Sequence, residues 1–208
     1  DVYKRQSSSF GYGSAMKENL AGIEDYTRIG SLLQPEQIVK YGELTLRENQ
    51  IAYAEPSFFR LFDFELLKGD KKTCLSMPGQ VVITERIASK YFKDEDPIGK
   101  IFIFTGAYDK ISCEVTGVMK EMPSNSHIHY SFLISYKSLP KYMQEYWYKH
   151  EAYTYVLLDS PERKAEIERE FPVMAEKYKT DEALKNKTWG VSLIPLADIQ
   201  LTCLLYTS

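Results

Sequence analysis

The sequence contains no apolar run near the roughly 18 residues needed to span a bilayer, so none of its 208 residues reads as a membrane helix. It does not open with Met, or with the basic start and apolar middle of a secretory signal. Either the protein is cytoplasmic, or the segment that exports it lies outside this chain. Cysteine is scarce: Cys74, Cys113 and Cys203 make an odd count with no CxxC pair. A Cys74–Cys113 disulfide is open in an oxidising compartment, but two small buried hydrophobes is the favoured reading. Charge of one sign does not dominate the chain. With 26 basic against 29 acidic residues and a net charge of −3, neither nucleic acid nor a polybasic contact with lipid is expected as the main partner.

Catalytic signatures are lacking too. Pro97-Ile98-Gly99-Lys100 keeps only the Gly-Lys of a phosphate loop, since Ile101 replaces the required Ser or Thr and the first Gly is absent. Gly11-Tyr12-Gly13 is too short for a dinucleotide fingerprint and follows no strand. There is no GxSxG elbow, and neither Cys74 nor Cys113 has a nucleophile's sequence context. No enzymatic activity and no cofactor are expected.

What is present is enough hydrophobic material, 44% of the chain, to bury a core as one domain or two joined lobes. Short strands mix with short helices. Ser14 to Leu20 reads as a helix; Ile23 to Leu33, Gln37 to Val39 and Leu44 to Ala54 read as strands. Pro56 opens a helical turn over Ser57 to Asp63, and Phe58, Phe59, Leu61, Phe62 and Phe64 plug the core. Val81 to Ile83 is a buried strand, capped into a helix by Thr84. Ile87, Ala88, Tyr91 and Phe92 fall on one stripe of that helix. Gly99 ends a turn before a hairpin from Ile101. The return strand alternates, with Ile111, Cys113, Val115, Gly117 and Met119 inward and Val118 as the exception. Pro123 to His127 is a turn. Tyr130 to Ser135 and Ala152 to Leu158 are strands, the latter apolar on both faces and hence expected in the middle of a sheet. Ser160-Pro161 starts a helix with Ile167, Phe171, Met174 and Tyr178 inward, and Pro172 should kink or split it. Val191 to Ile194 and Asp198 to Leu201 read as closing strands.

Three groups invite chemistry. His127 and His129 on an extended segment could chelate a metal, but no third ligand is near, and a turn in which Asn125 and Ser126 cap backbone groups accounts for the segment. Asp94, Glu95 and Asp96 lack the spacing of a calcium loop and read as a solvated loop. Tyr142, Tyr146, Trp147 and Tyr148 lie between strands and form the candidate interaction surface, since aromatics bury large area while keeping a polar tip.

The two ends differ from the rest. Residues 1–6 (DVYKRQ) and 203–208 (CLLYTS) resemble translated sequencing-adapter tails, which leaves about 7–202 as the genuine segment.

The runs QVVITERIASKYFKDEDPIGKIF (Gln80 to Phe102) and CEVTGVMKEMPSNSHIHYSFLIS (Cys113 to Ser135) carry a family resemblance. Pro97, Gly99, Gly117, Pro123, Asn125, Ser126 and His127 stand at its motif positions, together with Ala88, Phe92, Ile98, Lys100 and Val118. AEPSFFRLFDFELLKGD (Ala54 to Asp70) is similar to the segment that passes between lobes. In these features the chain resembles the periplasmic core domain of MacB/FtsX-type ABC transporter permeases. Lys93 stands where that family usually has Gly, and Tyr130 where it has Phe. The resemblance implies an α+β fold of two lobes. One is a porter-like α/β lobe from both chain ends, about 14–58 and 112–202; the other is an inserted, mainly β lobe, about 59–111. It also implies a place on the periplasmic side of a bacterial inner membrane, between transmembrane helices outside this chain. The implied partners are those helices, a cytoplasmic ABC ATPase, a periplasmic adaptor and a second permease copy. The implied role is non-catalytic: coupling of ATP hydrolysis to movement in efflux or export. A secreted or membrane-anchored ligand-binding or sensor module is the alternative.

Overall fold

The protein is seen in a computed structural model that describes residues 7–30, 36–106, 110–148, 150–180 and 185–199. The strands are β1 (Ser8–Ser9), β2 (Ile23–Gly30), β3 (Glu36–Tyr41), β4 (Leu44–Asn49), β5 (Ile51–Ala54), β6 (Leu66–Lys68), β7 (Gln80–Thr84), β8 (Ile101–Thr105), β9 (Lys110–Met119), β10 (Phe132–Ser135) and β11 (His150–Leu158). Of these, β8 and the first half of β9 show the period-2 pattern of one buried face, while β7 and β10 are buried on both. Between them lie helices α1 (Tyr12–Asn19), α2 (Phe58–Leu61), α3 (Glu85–Phe92), α4 (Lys141–Gln144) and α5 (Arg163–Ala175).

The eleven strands form one mixed sheet in the order β1-β11-β2-β5-β10-β7-β9-β8-β3-β4, with β6 paired to β9. The β5–β10 and β7–β9 pairs are parallel and the other pairs antiparallel. The architecture is α+β. The α/β end carries β1, β2 and β11 from the two ends of the chain under α1 and α5. The mainly β end carries the β3–β4 hairpin and β8. Gly42, at φ 55°, closes that hairpin's two-residue loop in the left-handed conformation that favours glycine.

Three apolar clusters glue the layers. One joins α3 (Ile87, Tyr91, Phe92) to Phe102, Phe104, Val115 and Phe132. A second, on the opposite face of the central strands, joins α2 (Phe58, Phe59) and Phe62 just after it to Val82, Met119 and Leu133. The third lies between α1, α5 and β11. Thr84 caps α3 by accepting from Ile87 N at 3.5 Å. Trimming one of these fully buried phenylalanines to Ala costs about 3–5 kcal/mol.

Neighbouring residues on β7 and β9 go to opposite clusters: Val81 and Val115 to the first, Val82 and Met119 to the second. The register shifts between Val81 (opposite Val115) and Val82 (opposite Gly117), leaving Thr116 as an extra residue. This bulge explains why Val118 broke the alternation read from sequence. Beyond Thr116 the parity inverts, so Val118 joins Cys113 and Val115 in the first cluster. Thr116 Oγ1 donates to Cys74 O at 2.5 Å and lies 3.3 Å from Val81 O, tying the bulge to the loop before β7.

Other expectations need correcting. The strand read over Leu44 to Ala54 is two strands, broken by Gln50 at φ 57°. Pro56 lies in a turn before α2 rather than at its first position. β11 is not central: it is second from the edge, and β1 pairs only with its first residues. Its two apolar faces have another cause, with Tyr153 and Tyr155 under the α2 cluster and Val156 and Leu158 under α1 and α5. Helix α5 runs through Pro172 without splitting and ends in a 3-10 turn at Glu176–Tyr178. Residues 191–194 form no strand. They lie as a cover on α5, with Leu193 N donating to Glu168 Oε1 at 2.6 Å. A 3-10 turn follows at Leu196–Asp198. Cys74 and Cys113 are free and buried. The ends of the strands read to Leu33 and Leu201, both adapter-like tails and Cys203 lie outside the described residues.

Candidate functional site

The aromatic stretch between β10 and β11 is held from beneath by two anchors. The first is Trp147, which is 7% exposed. Its ring stacks on Tyr178 at 4.6 Å and sits 5.0 Å from both Tyr12 and Trp189. Gly11 makes this possible, because a Cβ there would lie 2.2 Å from Trp147 Nε1. The adjoining backbone is tied down as well: Gly11 N donates to Tyr146 O at 3.1 Å, and Ser9 Oγ to Trp147 O at 3.0 Å. Trp147 therefore lies under the surface rather than on it, which removes it from the four aromatic candidates.

The second anchor is Arg28, 3% exposed, whose significance the sequence did not reveal. Its Nη2 and Nε donate to Glu55 Oε1 at 2.7 and 3.2 Å, while its backbone N donates to Glu55 Oε2 at 3.0 Å. Its Nη1 donates to Phe10 O at 2.5 Å, Gln144 O at 2.9 Å and Glu145 Oε1 at 3.3 Å. The guanidinium also lies 4.3 Å from the centroid of the Tyr136 ring. Burial works most strongly against its charge, but Glu55, Tyr136 and Glu145 together more than offset this and hold its pKa above the ordinary value. Burial raises the pKa of Glu55, with Arg28 pulling it back. The Tyr26 phenol is pushed up to about 12 by burial and then by Glu55. A buried guanidinium with five donors suits this junction of β2 with Phe10, Glu55 and the 144–145 turn, because its fork holds the Glu55 carboxylate on one side and reaches the Phe10 and Gln144 carbonyls and Glu145 on the other. The one available signal was an Arg on the side of β2 shared with Tyr26 and Gly30.

Above these anchors, Tyr142 is 74% and Tyr148 40% exposed, and Tyr146 is partly buried against the first cluster. The Tyr146 and Tyr148 rings lie 5.2 Å apart. Tyr136 OH donates to Gln144 O at 2.9 Å, and Gln144 Nε2 donates to Leu139 O at 2.7 Å. These bonds fold the 136–146 stretch back on itself.

The motif residues lie elsewhere and act on the backbone. Pro97 O accepts from Lys100 N in a turn. Gly99, at φ 79°, donates from its N to Val115 O at 2.9 Å, locking that turn onto β9. Gly117 sits where β6, β7 and β9 meet, and an added Cβ would come within 3.1 Å of Val82 Cγ2. Ser126 N donates to Pro123 O at 2.9 Å, and Ser126 Oγ accepts from Ile128 N at 3.1 Å; Asn125 is exposed in the same turn. His127 Nε2 lies 3.0 Å from Tyr155 OH. No group of three metal-ligating side chains occurs among the described residues. Asp96 and Glu95 pair with Lys68 and Lys100, each at 3.0 Å.

A sequence profile described as the MacB-like periplasmic core domain matches residues 3–172. No curated protein matches the sequence. Among solved structures, a domain of a permease protein from Porphyromonas gingivalis superposes with a TM-score of 0.74 at 20% identity, covering 98% of this chain and 88% of that one. The periplasmic region of MacB from Actinobacillus actinomycetemcomitans gives 0.64 at 17% identity, over 99% and 86%. The extracellular domain of the noncanonic ABC-type transporter YknZ from Gram-positive bacteria gives 0.55 at 17%, over 82% and 85%. These likenesses establish the fold, and the profile, spanning well over half the sequence, establishes that the chain belongs to the MacB-like periplasmic core domain family.

Proposed function

We propose that this domain couples ATP hydrolysis by a cytoplasmic ATPase to movement on the periplasmic side of a bacterial inner membrane, in efflux or export. It does so as part of a permease whose transmembrane helices belong to the same polypeptide. The observation that carries this reading is the family match over residues 3–172. The connectivity supports it: one hydrogen-bonded sheet runs from strands at both ends of the chain to the β3–β4 hairpin, so force applied at one end is carried by the ladder. A non-catalytic role accords with buried thiols at Cys74 and Cys113, each pushed up to about 12 by burial and so protonated at neutral pH. The exposed tyrosines Tyr142 and Tyr148, with Tyr146 beside them, are the proposed contact surface for a periplasmic adaptor or a second permease copy.

The test begins with the complete gene, where one membrane helix before this segment and three after it are expected. Flanks without membrane helices would leave a secreted or anchored ligand-binding module in its place. In proteoliposomes holding the whole permease and its ATPase, deleting this domain is expected to leave ATP hydrolysis running while transport stops. Transport that survived the deletion would refute the coupling role.

A further inference from the structure

The contact surface also has a charge. Lys137 and Lys141 are exposed beside the tyrosines. Lys141 adjoins Tyr142, and the carbonyl of Lys137 accepts from Gln144 Nε2 at 3.4 Å, which brings the 137 turn against the 141–148 stretch. Neither ammonium has an ion-pair partner among the described residues. The one acid within the stretch, Glu145, is occupied from inside, by Arg28 Nη1 at 3.3 Å and by the Ser14 hydroxyl. So on a chain of net charge −3, this spot presents two uncommitted cations and two exposed phenol rings on a backbone fixed by Trp147 and Arg28. A carboxylate arriving here would meet two ammonium groups against a single carboxylate, Glu145, which is 57% exposed but already held by Arg28, and neighbouring apolar atoms of the same partner would cover the rings. The fixed backbone lowers the ordering cost of binding.

We propose that the 137–148 surface docks an acidic polypeptide segment, one carrying Asp or Glu interleaved with apolar residues, on a partner protein. This rests on the reading of the tyrosines as a contact surface and adds the chemistry of the partner.

The test uses the whole 208-residue chain and three fluorescent peptides that differ only in charge: alternating Glu-Leu, Gln-Leu and Lys-Leu. Vesicles containing anionic phosphatidylglycerol form a fourth probe. Binding is followed by anisotropy, with amide chemical shifts mapping the contact. The Glu peptide is expected to bind with shifts confined to residues 137–148 and to weaken as salt rises. The Gln and Lys peptides should bind at least tenfold more weakly. The double variant Lys137→Glu/Lys141→Glu should lose about tenfold or more while melting like the parent. Equal binding of the Glu and Gln peptides, an unchanged affinity in the double variant, or binding to the vesicles alone would each overturn the proposal. The variant Tyr142→Ala/Tyr148→Ala separates the two readings. Binding of the Glu peptide that survives loss of the tyrosines but not charge reversal would sink the aromatic contact surface and keep the acidic partner. Loss in both variants, with the fold intact, supports both.

Discussion

Lys93 has φ 53° and ψ −111° at the C-terminal end of α3, outside the regions a residue with a Cβ adopts comfortably. The sequence already marked it, as the position where the family usually has Gly. The departure has a physical meaning: the turn from α3 to Pro97 needs a glycine-like backbone, and this chain bears the strain of a lysine there. Lys93→Gly is expected to stabilise the domain by about 1 kcal/mol, read as a melting temperature raised by about 2–4 °C; a lower melting temperature would show that the lysine side chain contributes more than the strain costs. His127 is a second such residue. Burial and then the neighbouring His129 hold its pKa below the ordinary value, so the unfolded chain binds a proton more readily than the folded one. Stability should therefore fall as pH drops through the ordinary histidine value, about 6.5, and level off below the folded value. Melting curves of the parent and of His127→Gln across pH 7.5 to 5 check this: the parent should lose more stability over that interval, and parallel curves would exclude the contribution.

Between elements, close packing decides more than patterning. Gly11 belongs to no nucleotide-binding motif; its lack of a Cβ is what admits the Trp147 ring. Gly11→Ala should cost about 1–3 kcal/mol, the usual range for overpacking, and move Trp147 toward solvent. A red-shifted tryptophan emission with a lowered melting temperature is the expected result; unchanged emission would mean the helix start had moved instead. The same level shows why the sequence was legible in some places and not in others. The β7–α3 unit and the Phe58–Phe62 plug came through because their apolar residues form dense local runs that are buried whatever lies alongside. The split at Gln50, the inversion at Thr116 and the edge-side place of β11 did not, because each depends on which strand lies alongside. Alternation reports two covered faces but not what covers them. Arg28 was missed for a related reason: its acceptors come from Phe10, Glu55, Gln144 and Glu145, far apart in the chain and unrelated by any spacing. The tyrosines of the candidate surface could be found by composition alone, but separating the anchor Trp147 from the exposed Tyr142 required the packing.

For the molecule as a whole, the consequence of a single sheet is cooperativity. The segment 59–111 supplies β7, which lies between β10 and β9 in the middle, and β8, which carries the β3–β4 hairpin. The clusters on the two faces share strands β7, β9 and β10, with Val81, Val115 and Ile134 on one side and Val82, Met119 and Leu133 on the other. Neither face can come apart while these strands keep their register. Unfolding should therefore be one calorimetric transition, with equal calorimetric and van't Hoff enthalpies. Phe104→Ala, in the cluster with α3, and Phe58→Ala, in the cluster with α2, should each lower that same transition by roughly 10 °C, the shift that 3–5 kcal/mol produces at this chain length. A second transition in either variant, with the first unmoved, would mean that the hairpin end unfolds on its own. That outcome would also weaken the coupling role, since a lobe that separates freely from the sheet cannot pass on force from the membrane side. A single transition shifted by both variants is what a transmitting element requires.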